Sequence, residues 1–244
     1  MAGLVPLSGI TERKLKALEW VDPKRVLVNL RRVEERLPSK MDERVRRLRT
    51  NALKEWRESR YAALFAYGIA ESVLKRPTLV AKVEDLDFDF IMRWDEEEAD
   101  YFYPVQLKEL PPEDLNPGVS LEDILGKLDK YSGTEDLSVV VLINRRTRFE
   151  YRPWESEQRP RIRELWYLGC TSQDQSKWFL YGNVLANAPL YYEFSYPVGE
   201  GDVAQHGVGA DAPRAGVPSE AVCRGAPHNS TLAGSSWTPG CLTP

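Results

Sequence analysis

An α/β layered fold is the expectation for this chain, and three features of the sequence carry it. Residues from Thr11 to about Arg76 repeat apolar positions at helical spacing, the stretch after Pro77 turns to β-branched and aromatic runs, and the apolar run Leu137 to Asn144 follows one further helix-like segment. Such a run has the form of a strand buried on both faces, and a preceding helix is the usual means of bringing a strand back alongside its sheet. The chain has 244 residues, 42% hydrophobic and 29% charged with a net charge of −4, which is enough for one good core and a small appendage.

The elements are predicted in order as follows. Leu15, Leu18 and Val21 recur at three-residue spacing, Pro23 interrupts, and Val26 to Leu37 resumes a mixed apolar and basic pattern that Pro38 stops. Ser39 is a candidate N-cap for a long helix through Val45, Leu48, Ala52 and Trp56 towards Leu74, with Pro77 as terminator. Strands are expected at Thr78–Val83, Phe88–Trp94 and Tyr101–Leu110, the second and third joined by the acidic loop Asp95–Asp100. Ser120 then caps a helix of Leu121, Ile124, Leu125, Leu128 and Tyr131 that ends near Gly133. After the buried strand, Leu165–Cys170 and Trp178–Leu185 read as further strands.

From about Tyr196 the composition shifts to Gly, Ala, Pro and Ser without a helix or strand period, too little grouped apolar surface to offset the cost of ordering. Three regions result: a basic helical N-terminal region, 1–57; an α/β core, 58–196; and a tail, 197–244, expected to be disordered.

Composition also narrows the chemistry. Both histidines, His206 and His228, fall in the tail, so the core has no imidazole for a Ser-His-Asp or Cys-His scheme, a His-ligated zinc or a general base. The three cysteines, Cys170, Cys223 and Cys241, are odd in number and widely spaced, which argues against a disulfide framework or a Cys-cluster zinc site. Nothing approaches the roughly 20 apolar residues of a membrane-spanning helix, and Met1 to Ile10 lacks a signal pattern. The expectation is a cytoplasmic protein without a membrane partner, whose chemistry rests on carboxylates, lysines, amides or a bound cofactor.

A symmetric hairpin with Trp94 opposite Tyr101 gives partner numbers that sum to 195, and so places Asp89 opposite Gln106 and Asp87 opposite Lys108. One face would carry Phe88, Phe90, Met92, Trp94, Tyr101, Tyr103, Val105 and Leu107; the other would gather Asp87, Asp89, Gln106 and Lys108 at one end. The bland account is an Asp87–Lys108 cross-strand ion pair on an exposed face, which contributes about 0.2–1 kcal/mol. The sharper one is a set of hard oxygen ligands, Asp89, the Gln106 amide oxygen and the Leu107 carbonyl, for Mg²⁺, with Lys108 beside it.

Asp89, the hairpin, Gln106-x-Lys108 at the close of the next strand, a helix and then a buried strand together resemble the PD-(D/E)XK nuclease superfamily. The likeness is to the variant of Mrr-like restriction endonucleases in which glutamine replaces the motif acid, and it spans roughly Glu58 to Ile143. It implies a restriction-endonuclease-like αβββαβ core with a mixed sheet, here with additional N-terminal helices, and Mg²⁺-dependent endonucleolytic hydrolysis of nucleic-acid phosphodiesters. Mn²⁺ is the expected substitute, DNA the expected substrate, and a homodimer the arrangement that would cut both strands. By position Asp89 is the metal-binding aspartate, with Asp87 as alternative, Gln106 and the Leu107 carbonyl are further ligands, and Lys108 is the catalytic lysine. Glu58 is the expected acidic residue of the preceding helix, with Glu71 as its rival.

Lys127 and Lys130 on the following helix and Arg145 and Arg146 after the buried strand are candidate backbone-phosphate contacts, with surface solubility the alternative. The rival function is a nuclease-like module without catalysis that binds nucleic acid or another protein.

Overall fold

The computed structural model describes residues 10–38, 40–42, 45, 50–83, 88–96, 99–131, 134–145, 149–150, 154 and 159–199, together with residues 3–4 and 236–237. His206, His228, Ser39, Asp87 and Arg146, and the expected tail from residue 200 onward apart from 236–237, lie outside these residues.

The first helix, α1 (Glu12–Ala17), is capped by Thr11, whose hydroxyl accepts from the Lys14 N–H at 3.4 Å. The second, α2 (Pro23–Arg36), opens on Pro23 instead of being interrupted by it. A first-turn proline gives up an N–H that the helix leaves unpaired anyway, and Asp22 caps the end by accepting from Lys24 N at 2.8 Å. The first part of the long helix expected from Ser39 lies largely outside the described residues; within them α3 (Lys54–Ile69) begins after a 3₁₀ turn at Asn51–Leu53 and widens into a π-helical stretch, Ala70–Leu74. Lys75, at φ 55°, turns the chain out of it two residues before Pro77.

The strands are β1 (Gly3–Leu4), β2 (Leu79–Lys82), β3 (Phe90–Glu96), β4 (Ala99–Leu110), β5 (Thr134–Ile143), β6 (Phe149–Glu150), β7 (Ile162–Cys170), β8 (Lys177–Gly182), β9 (Leu190–Ser195) and β10 (Ser236–Trp237). Between β4 and β5 lie α4 (Leu121–Leu125) and a 3₁₀ turn, Leu128–Tyr131. Ser120 and Asp123 form a reciprocal capping box at the start of α4, at 3.0 and 2.8 Å. Among the described residues the main sheet runs β2-β3-β4-β5-β7-β8-β9, with β1 beside the free end of β4 and β6 paired with β10 separately. The β3 strand is antiparallel to both β2 and β4; β4, β5 and β7 are parallel, and β8 and β9 close the far side antiparallel. This is a mixed α/β sheet. The β9 strand was absent from the expectation because of its residues only Phe194 is buried, so it lacks the alternation that marks a strand.

Both faces of the sheet are covered. On one lie α2 and α3, packing Leu27, Phe65 and Ile69 on Phe90, Val140, Trp166 and Leu180. On the other lie α1, α4 and the 3₁₀ turn after it, packing Leu15, Leu121 and Leu128 on Ile91, Phe102, Val139 and Leu165. The chain passes from one face to the other around the β2 edge, where Val21 and Val80 exchange two backbone hydrogen bonds of 2.9 Å. The N-terminal helices are therefore built onto the same sheet, and Arg60 of α3 ties them further, meeting Glu34 at 2.5 Å and Gln175 at 2.7 Å.

Cross-strand partners Gly169 and Phe179 show how closely this core is filled, since a Cβ on Gly169 would lie 2.3 Å from the Phe179 ring. That ring is fully buried and has no room to swing aside. Gly169→Ala is expected to destabilise by about 1–3 kcal/mol, read as a lower urea midpoint at unchanged slope.

Candidate functional site

The hairpin register follows the expected sum of 195: Phe90 opposes Val105, Met92 opposes Tyr103 and Trp94 opposes Tyr101. Pairing continues to Glu96 opposite Ala99, so the acidic connection is shorter than the sequence suggests. The two faces differ from expectation, because Ile91, Phe102 and Leu110 are buried on the side that was to be polar. Phe88 joins Ile91 there and not Phe90, so alternation breaks at residues 88–89, just before β3 becomes regular.

That break governs Asp89. Its own N–H still donates to Val105 O at 3.0 Å, but β3 has no carbonyl to offer the next free donor of β4. The Asp89 side chain fills that place, Oδ2 accepting from Leu107 N at 2.7 Å. Gln106, buried, donates through Nε2 to Asp89 Oδ2 and, at 3.2 Å, to the Leu107 carbonyl. The Asp89 carboxylate and the Leu107 carbonyl thus converge on a single point, which an amide nitrogen fills. Gln106 is not lost in the apolar core.

Lys108 and Glu58 approach this point from opposite faces of the sheet end. The Lys108 ammonium lies 5.2 Å from the centroid of the Tyr131 ring, on the α4 side. Lys130 lies 4.8 Å from the same centroid, so one aromatic ring holds two of the predicted cations together. Glu58 reaches in from α3, with Lys54 at 3.5 Å. Their fields meet at Asp89, whose carboxyl is held above its ordinary value chiefly by burial. The Leu107 N–H and the Lys108 ammonium pull it down, Glu58 pushes it up, and Lys54 pulls it down. Glu58→Gln removes the like charge and is expected to lower the Asp89 pKa, measured by carboxyl carbon-13 shifts across a pH titration.

Of the two acidic candidates on the helix, Glu58 is the one whose charge acts on Asp89. Glu71 is exposed at the far end of the helix, beside Tyr67, and its carbonyl accepts from Lys75 Nζ at 2.6 Å. Lys127 is exposed, whereas the Arg145 guanidinium is engaged in structure, donating to Pro111 O at 2.6 Å and Asn116 O at 2.8 Å. Cys170 is buried, its thiol 3.0 Å from the Ser172 carbonyl.

A metal at the convergence point would have the Asp89 carboxylate, the Leu107 carbonyl and, after rotation of the Gln106 amide about its Cγ–Cδ bond, Oε1 as ligands. These are hard oxygens of the kind Mg²⁺ takes, and a carboxyl pushed up by burial and a neighbouring acid is one that a cation would relieve. The set is lean in charge: among the described residues no three His, Cys, Asp or Glu side chains gather as a metal cluster.

Two features were missed in the sequence. Tyr131, taken only as an apolar helix position, organises Lys108 and Lys130. A cleft of about 700 Å³ between α2, α3 and the β2 edge ends at Asp89 and Leu107, with Trp56 at its wall. No local pattern announces the cleft, because its walls come from segments far apart in the chain. Among the described residues no helix is long and apolar enough to cross a membrane. No family model, curated protein or solved structure matches the chain.

Proposed function

We propose that the protein is a Mg²⁺-dependent nuclease acting on nucleic-acid phosphodiesters, DNA first, with Asp89, Gln106 and Lys108 at its centre. The observation that carries the reading is the interlock of Asp89 with Gln106 and the Leu107 backbone at the end of a hairpin, with Lys108 and Glu58 flanking it. The element order supports it: α3, three antiparallel strands, α4, then β5 parallel to β4, the arrangement a restriction-endonuclease-like core would have.

Asp89, Gln106 and the Leu107 carbonyl would hold the metal, and Glu58 adds negative charge behind Asp89. Bound Mg²⁺ supplies polarisation of a phosphoryl oxygen and a more acidic water. Lys108 orients the attacking water and offsets the charge that grows on the phosphoryl oxygens as the bond from water to phosphorus forms and the bond to the leaving oxygen breaks. Tyr131 keeps that ammonium at the sheet end, and Lys130 lies where it can meet an adjacent phosphate. Mn²⁺ is expected to substitute, and double-strand cleavage would call for a homodimer.

A second reading has its own observation. Asp89 is already satisfied by two donors, as a purely structural plug of the sheet end would be, and this favours a nuclease-like module that binds nucleic acid or protein without cutting. Incubation of the full chain with plasmid and single-stranded DNA in Mg²⁺, Mn²⁺ or EDTA separates the two. The nuclease cuts with either metal and stops in EDTA; a folded protein that binds DNA in a salt-dependent manner and cuts nothing is the module.

A further inference from the structure

We infer that the cleft beside Asp89 receives a single unstacked nucleobase that carries an exocyclic amine, guanine, cytosine or adenine, stacked on Trp56. The inference rests on the nuclease reading for its biological meaning, because it names the part of the substrate that lies next to the cut. Its physical basis is separate.

The volume, about 700 Å³, falls within the roughly 300–1,000 Å³ usual for small-ligand sites and leaves ample room for one base and its sugar. The floor is apolar, made by Val21, Leu30, Ala62, Val80 and Phe90. Trp56 is 51% exposed at the cleft, although a tryptophan with no partner to cover it would normally turn inward. An aromatic wall above an apolar floor suits a flat π-system, and stacking of this kind contributes about 1–3 kcal/mol per base.

Charge decides which part of a nucleic acid can enter. Glu19, Glu55, Glu58 and Asp89 line the cleft against one ammonium, Lys82, and that ammonium is bound to Glu55 at 3.0 Å. Away from the Asp89 end, where a bound cation would offset the carboxylate, a phosphate is repelled from such walls, so a neutral base is the piece that fits the cleft. Carboxylates can only accept hydrogen bonds, which selects among the bases. Guanine offers N1–H and N2–H₂ side by side, and cytosine and adenine offer N4–H₂ and N6–H₂, whereas thymine has a single ring N–H between two acceptors that face the carboxylates unfavourably. Because a base must leave its stack to reach the cleft, the preferred substrate is single-stranded or frayed nucleic acid.

The test uses the full chain with deoxyguanosine, deoxycytidine and thymidine as probes, observed through the Trp56 indole N–H resonance, which is assigned by its loss in Trp56→Ala. Deoxyguanosine and deoxycytidine should shift that resonance saturably, thymidine at least about fivefold more weakly, and Trp56→Ala should weaken binding at least about fivefold. The variant alters a half-exposed side chain, and an unchanged melting curve verifies its fold. No shift with any nucleoside up to the solubility limit overturns the inference, as does an equal response to thymidine. Displacement-insensitive binding of a Lys/Leu amphipathic peptide to the cleft in place of nucleosides overturns it too, and assigns the acidic walls to a cationic partner. Nucleosides contain no phosphodiester, so the two readings fail separately: binding without any DNA cleavage contradicts the nuclease, and cleavage without nucleoside binding contradicts the base pocket.

Discussion

Asp89→Asn is expected to abolish cleavage and, at the same time, to raise the melting temperature at neutral pH. The loss should be at least about 100-fold, since the carboxylate is the one charged ligand at the convergence point. The stability gain follows from the direction in which the Asp89 carboxyl is shifted. Burial holds its folded pKa above the ordinary value, so the folded state binds the proton more tightly than the unfolded state does. Stability from this group is therefore present below the unfolded pKa of about 3.9 and is lost as pH rises through the folded value. Once ionised, the group carries a charge that its folded surroundings disfavour. Asparagine is neutral, keeps an oxygen for the Leu107 N–H, and can pair with a rotated Gln106 amide. Melting curves of both proteins should separate as pH rises above about 4 and converge below it. A variant less stable than the wild type at pH 7 would mean that the carboxylate is held for the sheet and not for a ligand.

Phe65→Ala should cost about 3–5 kcal/mol, the range for removing a buried aromatic ring from a filled core. Phe65 is fully buried on α3 and meets Phe90 and Trp166 edge-on, at ring separations of 6.3 and 6.2 Å. It is the contact through which α3 presses on both β3 and β7, so its loss also loosens Glu58 against Asp89. In a chain of this size the melting temperature should fall by roughly 6–20 °C, measured by calorimetry. A fall below 3 °C would show that the helix is held elsewhere.

The hairpin was the most legible part of this chain. Trp94 and Tyr101 fix its register because aromatic pairs and a short connection leave one alignment, whereas the Asp89–Gln106 contact is made just beyond the regular pairing, where alternation breaks. The polar face was misjudged for a different reason: Ile91, Phe102 and Leu110 find cover from α1 and α4, which alternation within one hairpin cannot reveal. Pro23 was read as a break because the cap at Asp22 and a first-turn proline give the same local signal as an interruption. The start of α3 carries no capping side chain, so no local signal in the sequence marks it. The cleft and the double cation contact at Tyr131 depend on side chains brought together from separate elements, and neither has a sequence period. The helix stripe alone does not separate Glu58 from Glu71, because Leu64 and Gly68 on the Glu71 side are as buried as Ala62 and Phe65 on the Glu58 side.

The most direct measurement of the central claim is DNA cleavage by the wild type and by Lys108→Ala under saturating Mg²⁺, alongside DNA binding by both. A fall in cleavage of about 100-fold or more with DNA affinity unchanged within twofold is the predicted result. Equal cleavage by the two proteins would contradict the account, because the ammonium beside Asp89 would then have no part in the reaction.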